Sequence, residues 1–223
     1  MDKYKIIEVK QSVFKNNNER ADNLRKELKE KKVFLLNLMS SPGSGKTTTL
    51  VRTINALKDK IKIAIMEADI DGQCDADTIL NKTGVKVIQL HTGGMCHLDA
   101  EMTRSGVENL GIDGFDLVVL ENIGNLVCPA EFDTGASENV MILSVPEGDD
   151  KPLKYPLMFE VCDVVLINKI DTLSVFDFNI EECTNRIHKL NPKAKVIPFS
   201  AKTGEGMDAW FEYLLNQVKD WKK

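Results

Sequence analysis

The stretch from Ser40 to Thr48 constrains the fold of this chain more than any other part of its sequence. It follows an apolar run and consists of Ser-Ser-Pro-Gly-Ser-Gly-Lys-Thr-Thr, so it contains the Gly-Lys-Thr triplet that ends a phosphate-binding loop. In such a loop, backbone N–H groups and the dipole of the following helix must face the phosphates together. The loop must therefore join the end of a β-strand to the start of an α-helix, which predicts a nucleotide-binding α/β fold.

The rest of the chain alternates short apolar runs with segments of helical length. The runs are rich in Val, Ile and Leu without polar alternation, which is typical of strands buried on both faces. Seven strands are predicted, at Val33–Met39, Ile61–Met66, Val85–Leu90, Asp116–Leu120, Asn139–Val145, Asp163–Asn168 and Lys195–Phe199. Helices are predicted at Thr47–Lys58, Asp75–Lys82, Asp99–Leu110, Asn179–Leu190 and Met207–Val218. This order predicts an α/β P-loop NTPase with a mainly parallel seven-stranded sheet and helices on both faces.

The polar N-terminal part of the chain differs from the rest. Between Gln11 and Lys32 a few apolar residues fall loosely on one helical face, namely Val13, Phe14, Ala21, Leu24 and Leu28. This spacing predicts that residues 1–32 form a helical extension packed on the domain. Residues 33–223 are predicted to form the nucleotide-binding (G) domain itself.

Charge and cysteine content argue against several classes of protein. The net charge is -5 and basic residues are not clustered, which argues against a nucleic-acid partner. The five cysteines are an odd number spread along the chain, which favours reduced intracellular thiols over a disulfide framework. No signal-peptide core is present, and no apolar run approaches the ~20 residues needed to span a bilayer. We expect a cytoplasmic protein that does not bind a membrane.

The residues of the phosphate-binding loop have distinct predicted roles. Gly43 and Gly45 allow backbone N–H groups to turn toward phosphate oxygens. Lys46 can reach the β- and γ-phosphates, and the Thr47 hydroxyl can bind Mg²⁺. Ser40 occupies the position of the usual first glycine, so the loop must begin there without a positive φ. The predicted nucleotide contacts in the loop are Gly43, Ser44, Gly45, Lys46, Thr47 and Thr48.

A second motif, Asn168-Lys169-Ile170-Asp171, indicates which base is bound. It ends a predicted strand and matches the Asn-Lys-x-Asp signature of GTPases. The Asp171 carboxylate can accept hydrogen bonds from N1–H and the exocyclic amine of guanine, which adenine does not offer in that arrangement. The later segment Ser200-Ala201-Lys202 is similar to the further base-contacting loop of GTPases. Together the motifs predict binding of GTP and GDP.

Acidic residues at other strand ends are candidates for chemistry at the phosphates. Glu121-Asn-Ile-Gly124 resembles the Asp-x-x-Gly element of GTPases with Glu in place of Asp, so that Gly124 would meet the γ-phosphate. Asp69 and Asp75 are candidates for Mg²⁺ binding or water positioning, whereas Asp71 and Asp77 are expected to be surface residues. The predicted catalytic residues are Lys46, Asp69, Asp75, Glu121 and Gly124, and the predicted Mg²⁺ ligands are Thr47, Asp75 and Glu121.

The adjacent residues Cys96 and His97 admit two interpretations. They follow two glycines where a helix is predicted to begin, and neighbouring side chains on a helix diverge by ~100°, which makes them awkward ligands for one ion. Cys128 is a third candidate, four residues beyond Gly124. These residues either bind a metal or pack as small buried side chains, as is expected for Cys162 and Cys183, while Cys74 is undecided. Three ligands do not complete a four-coordinate site, but a symmetric dimer would double their number.

Several strings together resemble the HypB family of GTPases, which mature [NiFe]-hydrogenases. The strings are Ser41–Thr48, Cys96–Ala100, Glu121–Pro129, Glu147–Pro156 and Asn168–Asp171, and the resemblance covers nearly the whole chain. It implies a GTPase of the SIMIBI class that dimerises with GTP bound. Hydrolysis is expected to be slow without an arginine supplied by a partner. It further implies an interfacial nickel or zinc site at Cys96, His97 and Cys128. The implied partners are a HypA-type nickel chaperone and the hydrogenase large subunit.

Two departures and several alternatives accompany this resemblance. The chain lacks the N-terminal cysteine motif and the histidine-rich tract of some members, so high-affinity binding outside the interface and nickel storage are not expected. The alternatives are a related SIMIBI accessory GTPase serving urease or a cobalamin-dependent mutase, a P-loop small-molecule kinase, and a non-catalytic zinc-held dimer. The spacing of Gly124 and Cys128 suggests the hypothesis that GTP shifts the cysteine and so changes metal coordination.

Overall fold

The computed structural model describes residues 5–8, 17–70, 72 and 74–223, with the backbone alone for residues 5–8. Within these residues one sheet of eight strands has the order β1-β4-β3-β5-β2-β6-β7-β8. All neighbouring strands are parallel. The strands are β1 Lys5–Glu8, β2 Phe34–Ser40, β3 Ile63–Asp69, β4 Lys86–His91, β5 Leu117–Glu121, β6 Glu138–Ser144, β7 Val164–Asn168 and β8 Lys195–Pro198.

The seven predicted strands are confirmed, and the described residues contain one strand more. β1 pairs with β4 at the edge of the sheet, with Lys5 opposite Ile88. It lies in a polar N-terminal segment in which no strand was predicted. A four-residue edge strand has too few positions for a periodic pattern to be visible in the sequence.

Helices cover both faces of the sheet, as predicted. They are α1 Asn17–Glu30, α2 Lys46–Leu57, α3 Cys74–Thr83, α4 Ala100–Leu110, α5 Cys128–Glu131, α6 Lys151–Lys154, α7 Pro156–Val161, α8 Ile180–Leu190 and α9 Met207–Trp221. The five helices predicted beyond the N-terminal extension are present. The short helices α5, α6 and α7 were not predicted, because runs of four to six residues are too short to establish a helical period.

The central strands are buried because their side chains alternate between two covered faces. In β2, Leu36 and Leu38 pack with residues of α2 and α9, whereas Leu35 packs with residues of α1 and α4. Met39 on that second face joins a further cluster with α7 and α8. Both faces of a single strand therefore contribute to the core.

Helix α1 packs through the apolar residues expected to face the domain, since Ala21, Leu24 and Leu28 are fully buried. The predicted helix started at Gln11, but Gln11–Asn16, including Val13 and Phe14, lie outside the described residues. The division of the chain at residue 32 stays a prediction.

The strand order creates a crevice at the carboxyl end of β2. Its neighbours are β5 on one side and β6 on the other, so the connections leave the centre of the sheet in opposite directions. Ligands of open parallel sheets bind at such a switch point, which here lies beside the loop between β2 and α2. No helix in the described part of the chain combines the length and the apolar character that crossing a bilayer requires.

Candidate functional site

The phosphate-binding loop has the backbone shape that its sequence predicts. Gly43 and Gly45 have φ values of 76° and 101°, in the left-handed region that favours glycine. Gly45 is the residue before α2, so the first N–H groups of that helix face the loop. Ser40 is not among the positive-φ residues, and its hydroxyl instead accepts a hydrogen bond from Lys46 Nζ at 3.1 Å.

Asn168 joins the phosphate loop to both segments that are predicted to contact the base. Its amide nitrogen donates to the Ser44 carbonyl at 2.9 Å. Its amide oxygen accepts the N–H of Lys169 at 2.7 Å and that of Ala201 at 2.9 Å. One buried side chain therefore fixes the three loops that are predicted to surround the nucleotide.

The side chains predicted to read guanine lie around this centre. Asp171 Oδ1 accepts a hydrogen bond from Ser200 Oγ at 2.6 Å, which orients the carboxylate. Lys169 Nζ donates to the Gly43 carbonyl at 2.7 Å, so its stem spans the space between the two motifs. Lys202 is exposed, and its backbone carbonyl accepts from Arg52. The structure thus brings Lys169, Asp171 and Ser200 together, while the Lys202 side chain points to solvent.

The acidic residues chosen from the sequence lie on the phosphate side of the crevice. Thr47 Oγ1 donates to Asp75 Oδ1 at 2.9 Å. Glu121 is 1% exposed, and neither of its carboxyl oxygens has a hydrogen-bond partner. Burial raises the pKa of Glu121 to about 7, with Lys46 opposing the shift and Asp75 and Asp69 adding to it. A buried carboxylate without a partner is costly unless a cation satisfies it, so these residues fit a Mg²⁺ ion.

A second buried acid, Glu67, is not among the site residues predicted from the sequence. Glu67 lies directly opposite Glu121 in the β3–β5 pairing and is 3% exposed. Burial, followed by the charge of Glu121, raises the pKa of Glu67 to about 9. The sequence prediction ended the strand at Met66 and placed Glu67 at the strand end. β3 instead continues to Asp69, which places this side chain inside the sheet.

The segment that carries Gly124 touches the phosphate loop. A Cβ atom at Gly124 would lie 3.2 Å from both the backbone nitrogen and Cγ of Pro42. Only glycine allows the two backbones this close without one of them shifting. The chain then runs directly to α5, which begins at Cys128.

The three candidate metal ligands, two cysteines and one histidine, converge into one cluster. The ligand atoms of Cys96, His97 and Cys128 all lie within 4.8 Å of one another. Cys96 Sγ is 2.8 Å from Cys128 Sγ and 3.9 Å from His97 Nδ1. Two thiols and an imidazole are the soft and borderline ligands that Zn²⁺ and Ni²⁺ accept. The alternative that these side chains serve only for packing is less compatible with this convergence.

Cys96 and His97 do not begin a helix, and of the two predicted starts for α4 only the one at Asp99 agrees with the structure. α4 starts at Ala100, and the Asp99 carboxylate caps it by accepting the Met102 N–H at 2.8 Å. Cys96 and His97 are therefore in non-helical backbone, where adjacent side chains need not diverge by a helical turn angle. The predicted obstacle to their joint use on one ion is absent.

An aromatic ring that sequence reasoning missed lies against the cluster. Phe132, the residue after α5, stacks on the His97 ring with centroids 3.7 Å apart and an interplanar angle of 11°. His97 is 5% exposed, and this burial lowers its pKa, which favours the neutral ring that binds metals. The hydrogen bond with Cys128, followed by burial, raises the pKa of the Cys96 thiol. No sequence pattern signals the Phe132 contact.

The remaining cysteines behave as the packing interpretation expects. Cys162 and Cys183 are fully buried, and burial raises the pKa of both thiols, to about 12 for Cys183. Cys74, which was undecided, is exposed and begins α3. None of the three belongs to the cluster around His97.

Comparison with known proteins gives a consistent result along most of the chain. Residues 34–198 match the family described as CobW/HypB/UreG, nucleotide-binding domain. The hydrogenase maturation factor HypB of Rhizobium leguminosarum bv. viciae is 44% identical over 214 residues, which are 96% of this chain and 71% of that protein. HypB of Escherichia coli strain K12 is 43% identical over 217 residues, covering 97% of this chain and 74% of that protein.

A solved structure agrees with this match. The crystal structure of HypB from Helicobacter pylori in complex with nickel superposes with a TM-score of 0.85 at 37% identity, covering 92% of this chain and 96% of that one. The family match includes the phosphate loop, the thiol cluster and Asp171, and it ends shortly before Ser200.

Proposed function

The chain belongs to the HypB family of hydrogenase maturation factors, and from this premise we propose that it is a GTP-hydrolysing switch that assists nickel insertion into a [NiFe]-hydrogenase. Binding of GTP and GDP is supported by Asp171, whose carboxylate is held by Ser200, and by the phosphate loop that Asn168 ties to it. Hydrolysis of GTP by this protein alone is slow, because no partner supplies an arginine to the phosphates.

In this proposal Mg²⁺ is held by Thr47, Asp75 and Glu121, and when bound it offsets charge on the phosphate oxygens. Lys46 contacts the β- and γ-phosphates after leaving Ser40 Oγ. Asp69 and Asp75 position water near the terminal phosphate. The Gly124 N–H donates to the γ-phosphate from its place beside Pro42.

The cargo is a nickel ion, or zinc in its place, held by Cys96, His97 and Cys128. Nickel in the Helicobacter pylori protein supports this choice. Three protein ligands leave the coordination incomplete, which a second copy of the chain can correct. Val127, next to Cys128, is 50% exposed, as a residue at a dimer interface would be in an isolated protomer. The GTP-bound form is the proposed homodimer. A HypA-type chaperone and the hydrogenase large subunit are its proposed partners, in the cytoplasm.

One observation carries the proposal of a switch. The Gly124 backbone rests on the phosphate loop at Pro42, and Cys128 follows four residues later while its sulfur touches Cys96. A γ-phosphate that pulls on Gly124 therefore moves a backbone segment directly connected to a metal ligand. The change in metal coordination is the output, and hydrolysis resets it.

The test measures nickel affinity with GDP and with a non-hydrolysable GTP analogue. We expect the nucleotide to change the affinity of the unaltered protein, and Cys128→Ala to abolish that difference. Cys74→Ala is the matched control, because Cys74 is exposed and outside the cluster. A nucleotide effect that survives in Cys128→Ala would refute this coupling route.

The alternatives predict other results in the same preparation. A small-molecule kinase would release little phosphate from GTP unless an acceptor were added, whereas the proposed enzyme hydrolyses GTP alone. A zinc-held dimer without catalysis would release no phosphate above background. A relative that serves a cobalamin-dependent mutase would not need the thiol cluster, so Cys96→Ala would leave its function intact. One that serves urease would support urease maturation and leave hydrogenase maturation unaffected.

A further inference from the structure

The two segments that carry the metal ligands meet through an aromatic stack. Cys96 and His97 precede α4, and Cys128 and Phe132 stand at the two ends of α5. The Phe132 ring lies 3.7 Å from the His97 ring and almost parallel to it, at 11°. Because the second side-chain torsion of histidine is broad, an imidazole without such a contact samples many orientations. The stack selects one in which Nδ1 lies 3.9 Å from Cys96 Sγ.

The N-terminal helix holds the residues next to this stack from both sides. Asn17 Nδ2 donates to the Asp133 carbonyl at 2.9 Å, and Asn17 Oδ1 accepts the Ala100 N–H at 2.9 Å. Asp133 directly follows Phe132, and Ala100 is three residues after His97. One buried amide therefore joins the histidine segment to the phenylalanine segment.

Arg25, further along α1, strengthens the same attachment. Its Nη2 donates to both Asp133 carboxyl oxygens at 2.8 Å, and its Nε donates to the Ala136 carbonyl at 2.9 Å. The loop is pressed so closely to α1 that a Cβ atom at Gly135 would lie 3.0 Å from the Ala21 carbonyl oxygen. Because Nη2 and Nε belong to one planar guanidinium, these charge-assisted hydrogen bonds fix the direction as well as the distance between α1 and the loop.

We propose that Phe132 is a positioning residue for the metal site, and that α1 acts through Asn17 and Arg25 to hold it against His97. This inference rests on the proposed metal function and deepens it. The N-terminal helix then helps to orient the metal ligands, although it supplies no ligand itself. Hydrogen-bonding side chains that orient a metal-binding histidine typically change metal affinity by about 10- to 100-fold when removed, and we expect the stacked ring to act on a similar scale.

The test compares variants of Phe132 in the full chain. Phe132→Leu removes the flat ring and keeps an apolar side chain, whereas Phe132→Tyr keeps the stack. Phe211→Leu is the matched control, because Phe211 is a half-buried phenylalanine on α9, away from the cluster. Cobalt(II) binding is followed by its thiolate charge-transfer and ligand-field absorption bands, nickel(II) binding by competition, and folding by the melting temperature and GDP affinity.

We expect Phe132→Leu to weaken nickel binding by about tenfold or more and to alter the cobalt bands. Melting temperature and GDP affinity should change no more than in Phe211→Leu, and Phe132→Tyr should restore affinity and spectrum. Asn17→Ala should shift the affinity and the cobalt bands in the same direction, whereas Asn23→Ala, at an exposed position of the same helix, should not. This second pair keeps the inference testable if Phe132→Leu does not fold.

Two negative results have different meanings. If Cys96→Ala removes cobalt binding but Phe132→Leu and Asn17→Ala keep the affinity and bands of the unaltered protein, the positioning role is wrong and the metal site stands. If Cys96→Ala and Cys128→Ala bind cobalt as the unaltered protein does, the proposed metal function fails and this inference fails with it.

Discussion

The amide of Asn168 lies directly over Gly45. A Cβ atom at Gly45 would be 2.5 Å from Asn168 Nδ2, which donates to the adjacent Ser44 carbonyl at 2.9 Å. Position 45 therefore needs glycine for two reasons. Its φ is 101°, and the Asn168 side chain leaves no room for a Cβ atom. Two motifs separated by more than a hundred residues form one packed unit.

Gly45→Ala should therefore disrupt nucleotide binding more than backbone strain alone explains. Strain at a positive φ costs about 1–3 kcal/mol. Displacement of Asn168 adds to this and loosens three loops, so GDP affinity should fall more than about tenfold. The control is Gly114→Ala, which has a φ of 87° and no atom within 4 Å of the added Cβ. Fluorescent GDP titration and thermal unfolding measure both effects, and equal GDP affinity in the two variants would contradict the packing argument.

Asp171→Asn should exchange guanine for xanthine specificity. The substitution removes the charge-assisted hydrogen bonds from guanine to the carboxylate. Each is worth about 1.5–3 kcal/mol, equivalent to roughly tenfold to hundredfold weaker GDP binding. The new amide can donate to the carbonyl that xanthine carries in place of the guanine amine. Competition between GDP and XDP measures the change, with the exposed Asp177→Asn as control. Unchanged GDP affinity would show that Asp171 does not contact the base.

Glu67 should make the metal-free, nucleotide-free protein less stable as pH rises. Its pKa is raised from 4.5 to about 9, so between these values the folded chain binds a proton that the unfolded chain has released. The stability contributed by this proton is full below about pH 4.5 and falls as pH rises toward about 9. Denaturant unfolding in chelator should show this slope, and Glu67→Gln should reduce it, leaving the part that the raised pKa of Glu121 contributes.

The control for that slope is Glu212→Gln, because Glu212 is exposed on α9. A Glu67→Gln profile parallel to that of the unaltered protein would mean that Glu67 is ionised in the folded state.

The close thiols should also form a disulfide when metal is absent. Cys96 Sγ and Cys128 Sγ are 2.8 Å apart, so a diazene oxidant that accepts two hydrogen atoms should link them within one chain. Intact-mass and peptide analysis would detect the loss of two hydrogens and the linked peptides. Bound zinc or nickel should protect both sulfurs, since their lone pairs are engaged by the ion. If Cys74 forms a disulfide in preference to the Cys96–Cys128 bond, Cys96 and Cys128 are not close in solution.

Much of the nucleotide site could be predicted because its signals are local. Ser40–Thr48 and Asn168–Asp171 each determine their own backbone shape, and each follows a buried strand whose carboxyl end lies at the same edge of the sheet. The burial of Cys162 and Cys183 was also predicted, because Cys162 adjoins a predicted strand and Cys183 lies within a predicted helix. Glu67 was the exception, since its place inside β3 depended on how far a strand continued past its apolar part.

The sequence by itself determined the fold class, the phosphate loop and the base-reading motif, because those depend on short-range backbone preferences and on the period of apolar residues. Only the tertiary structure decided that Cys96, His97 and Cys128 share one cluster, that Phe132 covers the histidine and that α1 fastens it. These contacts join residues far apart along the chain, and no local preference encodes which distant side chain will fill a given space.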